Sequence, residues 1–82
     1  MKQLNLFLFR HKNAEQIGID FRFDMELKAH LKKLNEVRWS RTHSCFYIPA
    51  GKQYLESLNS HFKSIEVEIN TALLDFSRIP DI

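Results

Sequence analysis

The chain has 82 residues, of which 44% are hydrophobic, and its formal net charge is +2. Length and composition together predict one globular domain with a modest core. The single cysteine excludes an internal disulfide framework and predicts a reducing, cytoplasmic environment. No apolar run approaches the roughly 20 residues that span a bilayer. The start of the chain alternates and is not typical of a signal peptide, so no membrane partner is expected.

The charges are unevenly distributed along the chain. Residues 1–63 hold eleven basic and six acidic side chains, a net charge of +5, whereas residues 64–82 hold one basic and four acidic side chains, a net charge of −3. A basic body suits a partner with phosphates, because cations replace the counterions of a nucleic acid. Small domains often scatter charge in this way, so charge alone leaves both interpretations open.

Two strands are predicted at the start of the chain. Residues 2–10 and residues 16–23 alternate with a period of two, and the short polar turn between them predicts antiparallel pairing. Apolar residues on both sides of the first strand indicate a central strand, or one covered on both faces. Gly18 in the second strand indicates a bulge or the close approach of another group.

A helix is predicted after these strands. Asp24 is placed to cap its N-terminus, because the side chain can accept a hydrogen bond from an unpaired backbone N–H. Leu27, Leu31 and Leu34 recur at helical spacing and predict the buried stripe. Asn35 tolerates left-handed geometry and marks the predicted end of the helix.

Residues 37–49 predict a second hairpin. Residues 37–40 and 45–48 alternate around the polar turn 41–44, and Pro49 ends the second strand because proline has no N–H for the ladder. The face predicted to be buried carries Val37, Trp39, Phe46 and Ile48. The opposite face carries Arg38, Ser40, Cys45 and Tyr47.

The rest of the chain predicts a helix over residues 52–62, a strand over residues 64–70 and an aperiodic segment over residues 71–82, where Pro80 prevents a continuous helix. The predicted fold is therefore α+β with the order ββαββαβ, a mainly antiparallel sheet and two helices packed on one face. Residues 1–70 are predicted to form the domain, and residues 71–82 a linker toward a further domain.

The sequence offers no catalytic constellation. Its four histidines lack metal-ligand spacing, and Cys45 lies among aromatic residues in a predicted strand, where a thiol is usually inert packing. Two glycines leave no glycine-rich phosphate loop, and the scattered acids suggest no general acid–base pair. The chain is therefore predicted not to be an enzyme, and no cofactor, metal or small-molecule substrate is expected.

The segment VRWSRTHSCFYIP over residues 37–49 resembles the N-terminal domain of tyrosine recombinases, the integrases of phages and conjugative transposons, especially those of the Bacteroidetes type. The segments RHKNAEQIGIDFRFDMEL over residues 10–27 and LLDFSRI over residues 73–79 are similar to the same family. The resemblance therefore covers most of the chain. Phe46 departs from the pattern, which more often has a second Trp at that position.

This resemblance implies a DNA-binding fragment without catalytic residues. Tyrosine recombinases cut DNA with a Tyr supported by an Arg, a Lys and a His-x-x-Arg constellation on a separate domain, and neither Tyr47 nor Tyr54 matches that pattern. N-terminal domains of this kind bind accessory, arm-type sites on double-stranded DNA during integration and excision of a mobile element. The implied partners are duplex DNA and the other domains of the recombinase, and the isolated domain is expected to be monomeric.

Cations in three places are the candidate DNA contacts. They are Arg10 and Lys12 in the first turn, Arg38, Arg41 and His43 on the second hairpin, and Lys28 and Lys32 on the first helix. A β-ribbon can enter a major groove, so Arg38 or Arg41 is able to reach a base edge. The two lysines of the helix fit a solvated face equally well. Whether the first turn meets the hairpin depends on the order of the strands.

Two alternatives remain open. In the first, the domain docks against other domains of the recombinase or a neighbouring subunit, which an exposed Tyr47 and the acidic end of the chain would suit. In the second, the domain handles forked DNA, because the order of strand, helix and Trp-bearing hairpin resembles the module attached to annealing helicases. A continuous basic face favours DNA, whereas an apolar patch favours a protein partner.

Overall fold

The structure, a computed structural model, describes residues 2–22 and 24–79, without the side chain of Phe76. Five strands lie in this part of the chain: Lys2–His11 (β1), Ala14–Asp20 (β2), Arg38–Ser40 (β3), Cys45–Pro49 (β4) and Val67–Leu73 (β5). The helices are Met25–Lys32 (α1), Lys52–His61 (α2) and a short 3-10 helix at Phe76–Arg78. The predicted α+β fold is confirmed. The predictions for Phe23, Pro80 and the last two residues lie outside the described residues.

The strands form one sheet in the order β3-β4-β2-β1-β5. β1 and β5 pair in parallel, whereas the other three pairs are antiparallel. β1 is an interior strand, as predicted. The β1–β2 hairpin and the β3–β4 hairpin lie side by side, because β2 pairs with β4.

Alternation along the strands separates two faces of this sheet. One face packs with both helices in a single core, and its strand residues are Leu4, Leu6, Ile17, Ile19, Phe46 and Ile48. The helices contribute Leu27, Leu31, Leu55 and Leu58 to the same core. Both helices therefore lie on one face, as predicted, and this side is named the helix-covered face. The other side is named the open face, because neither helix packs against it.

Asp24 caps α1 as predicted. Its Oδ1 accepts a hydrogen bond from the backbone N–H of Leu27 at 3.0 Å. This bond, with the nearby positive charge of Lys2, lowers the pKa of Asp24. α1 ends at Lys32, before the predicted end at Asn35. The N–H groups that follow donate to carbonyls three positions back, the tighter pattern that closes a helix.

Two histidines join the C-terminal ends of the helices. Nε2 of His30 lies 2.5 Å from the carbonyl oxygen of His61, and Nε2 of His61 lies 2.5 Å from the carbonyl oxygen of His30. The two rings are stacked with their centroids 4.1 Å apart. Carbonyls in the last turn of a helix lack the regular intrahelical partners, and that of His30 also accepts from the backbone N–H of Lys33. The two side chains therefore link the ends of the helices and have a structural role.

The chain after α2 adds an edge strand and further core residues. β5 begins and ends later than predicted, at Val67 and Leu73. Leu74 and Ile79 are buried in the core, and Arg78 forms an ion pair with Glu15 of β2. Neither helix of the described residues has the length and apolar character needed to cross a bilayer.

The β3–β4 hairpin differs from its predicted burial at two aromatic residues. Trp39 lies beside Phe46, as predicted, but it is 52% exposed because β3 is an edge strand. The prediction that Trp39 is buried is therefore wrong. Tyr47, predicted to be exposed, is buried instead. The rings of Phe9 and His11 pack against it, with centroids 5.8 and 5.2 Å from that of Tyr47.

Candidate nucleic-acid interface

The open face carries a cluster of aromatic rings. Alternation along β1 places Phe7, Phe9 and His11 on this side, because they lie between the leucines that face the helices. Tyr47 of β4 is on the same side, since its neighbours Phe46 and Ile48 are in the core. The turn after β3 adds a fifth ring. The cluster is named the aromatic platform and consists of Phe7, Phe9, His11, His43 and Tyr47.

Phe9 lies at the centre of the aromatic platform. Its ring centroid is 4.7 Å from that of His43, 5.7 Å from Phe7 and 5.8 Å from Tyr47. The contacts are tilted or edge-to-face, the arrangement that the quadrupoles of aromatic rings favour. His11 and His43 also meet edge-to-face, with centroids 5.3 Å apart. The ring of His43 therefore reaches across the open face to the end of β1. The turns themselves, whose relation the sequence left undecided, lie at opposite ends of the sheet, because β2 and β4 are antiparallel.

Gly18 provides space for one ring of the platform. A Cβ atom at residue 18 would overlap the ring of Phe7, which lies across this position. The register between β1 and β2 is regular here, with Phe7 opposite Gly18. Of the two explanations predicted for this glycine, the close approach of another group is therefore confirmed.

A buried serine side chain stabilises the turn that carries His43. The hydroxyl of the buried Ser40 accepts a hydrogen bond from the backbone N–H of His43 at 3.1 Å and lies 3.3 Å from its Nδ1. Ser44 adopts a φ of 52°, in the left-handed region that turns use. The fixed turn keeps the ring of His43 against Phe9 and His11.

Three exposed cations lie in or beside the two turns, one turn at each end of the sheet. Arg10 precedes His11 in β1 and alternates to the side of the leucines, Lys12 lies in the next turn, and Arg41 lies in the turn of His43. Lys12 and Asn13 have φ values of 55° and 61°, as in a two-residue type I′ hairpin turn. No ion pair within residues 2–22 and 24–79 involves these three cations. Their charges are therefore available to an anionic partner.

The acidic residues of the open face lie at the end that carries the turn after β3. Asp20 is opposite Asn5, and Glu68 is opposite Gln3. The register of β2 with β4 places Asp20 beside Cys45, which follows that turn. Arg41 is therefore at the same end as Asp20, and Lys12 is at the opposite end, beyond His11. A phosphate-bearing ligand that lies along the open face would meet a cation at each end.

The remaining predicted cations are less well placed. Arg38 lies on the open face opposite Tyr47, but its Nη1 donates to the carbonyl oxygens of Asn35 at 2.9 Å and Val37 at 3.4 Å. These bonds hold the guanidinium against the loop before β3. Lys28 and Lys32 are exposed on α1, in the helix layer on the other side of the sheet. The structure therefore brings the ring of His43 onto the open face near His11 but leaves Lys12 and Arg41 at opposite ends of the sheet. Arg10 is on the side of the leucines, and the two lysines of α1 lie in the helix layer.

Two aromatic members of this site were missed from the sequence. Phe7 and Phe9 were interpreted as packing residues, because large apolar side chains normally indicate a covered face. The available signal was the series Asn5, Phe7, Phe9 and His11, in which polar and aromatic side chains share one face of a strand. Such a mixture is unlike the purely aliphatic series on the helix-covered face.

The site shows no metal-binding chemistry within the part of the chain that the structure describes, since no group of His, Cys, Asp and Glu there could hold an ion. Burial, followed by the negative charge of Asp20, raises the pKa of the Cys45 thiol. A thiol with a raised pKa stays protonated at neutral pH and is a poor nucleophile. The arrangement of rings and cations is suited to binding.

Comparisons of the chain with family models, with curated proteins and with solved structures found no match. The similarity to tyrosine recombinases therefore stays a prediction from sequence motifs. What supports a function directly is the chemistry of the open face and its two turns.

Proposed function

We propose that this chain is a non-catalytic DNA-binding domain of a tyrosine-type site-specific recombinase, which binds accessory, arm-type sites on double-stranded DNA during integration or excision of a mobile element. The observation that carries the proposal is the contact between His11 and His43. It holds the turn of Arg41 over the open face, and Lys12 lies at the opposite end of the sheet, so exposed cations are present at both ends of one surface.

The turns are the part of the domain that approaches the duplex. Lys12 contacts phosphates at one end of the sheet and Arg41 at the other, so the duplex lies along the strands between the two turns. Arg10, beside Lys12, adds positive charge at the first of these ends. The major groove is about 12 Å wide and admits a two-stranded β-ribbon. Arg41 at the tip of the β3–β4 hairpin is therefore the first candidate to reach a base edge. Arg38, held by backbone carbonyls, contributes less.

The proposal includes the cellular setting of the domain. The catalytic residues lie on other domains of the same recombinase, which are its protein partners, and the isolated domain is a monomer in the cytoplasm. It needs no cofactor, membrane or small-molecule substrate. Lys28 and Lys32 lie on α1, in the helix layer, and are not part of the proposed duplex footprint.

A salt titration tests the proposal. Binding of a duplex from the ends of the mobile element is measured by fluorescence anisotropy at increasing salt for the wild type, Arg41→Ala and Lys63→Ala. Each phosphate contact that is removed should lower the slope of log K against log [salt] by about one. We expect this loss for Arg41→Ala and none for Lys63→Ala, an exposed residue after α2. Absence of binding at low salt, or equal losses in both variants, would refute the proposal.

A second candidate function is favoured by the exposed Trp39. Its ring lies 4.8 Å from that of Phe46, beside a groove of about 210 Å³ that Phe21 and Lys28 also line. Exposed aromatic residues in grooves are frequent anchors of protein interfaces. In this case the domain docks against the other domains of the recombinase. Trp39→Ala would then weaken that association, measured by titration calorimetry with those domains, without changing DNA affinity.

A further inference from the structure

We propose that the aromatic platform stacks unpaired nucleobases, so that the domain holds a single-stranded stretch of nucleic acid on its open face. The inference rests on the proposed function, because it assigns a second class of substrate to the same face of the sheet. Duplex binding accounts for the cations of the two turns. It does not account for the rings between them.

The rings form a floor and an accessible layer. Tyr47 is only 6% exposed and forms the floor beneath Phe9 and His11. Phe7, Phe9 and His11 are half-buried, and His43 is exposed. Neither helix covers them, because the buried residues of both helices belong to the core on the other side. A contiguous group of accessible rings on a sheet face is unusual unless it has a ligand.

Unpaired bases are the ligand that fits both the rings and their surroundings. In a duplex the faces of the bases are stacked on one another, so only their edges and the phosphates can be contacted. An unpaired strand offers its base faces to aromatic side chains, and its phosphates follow nearby cations. Lys12 follows His11 at one end of the platform, and Arg41 lies in the turn of His43 at the other end. Exposed cations at both ends of the platform favour a polyanion over an apolar peptide.

The size of the platform is consistent with the binding of a short single strand of nucleic acid. Its ring centroids are separated by 4.7 to 6.0 Å along Phe7, Phe9, His11 and His43. Single-strand sites of comparable sheet domains take about 4 to 16 nucleotides. Gly18 has a part in this site, because its missing Cβ lets the ring of Phe7 lie flat across β2. The side chain of Gln16, which donates to the carbonyl oxygen of His11 at 3.2 Å, supports the same end of β1.

The test compares single-stranded and duplex probes on the same variants. Labelled oligomers of deoxythymidine and of uridine, each of about 12 nucleotides, and a duplex of equal length are titrated by fluorescence anisotropy. Phe9→Leu keeps an apolar side chain but removes a stacking face. We expect it to weaken binding of the oligomers roughly tenfold, with an unchanged salt slope and unchanged duplex affinity.

Two further variants complete the design. Trp39→Leu removes an exposed aromatic ring from the other side of the sheet and should leave oligomer binding unchanged. His43→Ala removes an exposed ring without removing core volume, so it tests the platform if Phe9→Leu lowers stability. It should also weaken oligomer binding. Far-UV circular dichroism and thermal unfolding identify any variant that is not folded.

The outcomes separate the two proposals. Base stacking is supported if an oligomer binds the wild type and its affinity falls in Phe9→Leu and His43→Ala but not in Trp39→Leu. The oligomer with the higher affinity then shows whether the ligand is DNA or RNA. Base stacking is overturned if oligomer affinity is the same in the wild type and in both platform variants. The proposed function stays intact in that case if duplex binding still depends on Arg41. Absence of binding to every probe overturns both.

Discussion

The helix-covered face and the open face belong to the same five strands but are built from different chemistry. The first presents aliphatic side chains, such as Leu4, Leu6 and Ile48, to two helices and buries them almost completely. The second presents aromatic rings and imidazoles, stabilised by contacts with one another and by the space at Gly18. The difference indicates a division of tasks: one face supplies the stability of the domain and the other supplies binding.

The contrast is sharpest within single strands. In β1, Leu4 and Leu6 are buried, whereas Phe7 and Phe9, which alternate with the leucines, stay partly accessible. A small domain has little apolar material to bury, so leaving phenylalanine rings uncovered carries a cost in stability. That cost is understandable if the rings contact a ligand, and the following predictions test the division between the faces.

The largest expected effect is on the helix-covered face. Leu58 of α2 is completely buried, so Leu58→Ala should lower the free energy of unfolding by about 2–5 kcal/mol. Leu73 is 69% exposed at the edge of the sheet, so Leu73→Ala should change it by less than about 0.5 kcal/mol. Urea unfolding followed by circular dichroism measures both. Similar losses in the two variants would contradict the assignment of the core.

An intermediate effect on stability is expected at Gly18 of β2, a strand that contributes residues to both faces of the sheet. Gly18→Ala places a methyl group against the ring of Phe7 and should lower the free energy of unfolding by about 1–3 kcal/mol. Phe7→Ala removes the obstacle, so adding Gly18→Ala to that variant should cost little. A double-mutant cycle by urea unfolding measures this coupling. Additive losses would show that the ring does not occupy the space over Gly18.

Local elements could be predicted from the sequence because their causes are local. A few neighbouring residues specify each of them: the alternation of side chains in β1 and β2, the N-terminal cap at Asp24 and the buried leucines of α1. The parallel pairing of β1 with β5 joins residues that are far apart in the chain, and no local pattern specifies it. The same limit applies to Trp39, whose exposure depends on β3 being an edge strand.

The candidate site could be predicted only in part, for the same reason. Arg10, Lys12, Arg41 and His43 were recognised as cations in turns, which is a local property. Their arrangement depends on the antiparallel pairing of β2 with β4, which places the two turns at opposite ends of the sheet, while the ring of His43 reaches across the open face to His11. Phe7 and Phe9 were not recognised, since a phenylalanine in a core and one on an accessible sheet face have the same local pattern. Burial, and not residue type, distinguishes them.

The smallest effect is expected at the N-terminus of α1, which belongs to the helix layer. The folded-state pKa of Asp24 is lowered by the hydrogen bond from Leu27 and by Lys2. Its carboxylate therefore stabilises the fold above the unfolded pKa of about 3.9. That contribution is lost as the pH falls through the lowered folded value. Asp24→Ala should reduce the melting temperature slightly at pH 7, and the difference from the wild type should shrink in acid.

Asp24→Asn is the matched control, because an amide oxygen still accepts the hydrogen bond from Leu27 but does not titrate between neutral and acid pH. It should retain most of the stability at neutral pH and show a smaller acid loss than the wild type. Thermal unfolding across this pH range measures all three proteins. If the difference in melting temperature between Asp24→Ala and the wild type does not change with pH, the charge of Asp24 does not contribute to the cap. DNA affinity at neutral pH should be equal in the three proteins, because Asp24 caps a helix that packs on the opposite face from the aromatic platform. A parallel loss of affinity would mean that the helix layer and the open face are coupled, and the division of tasks between the faces would then be wrong.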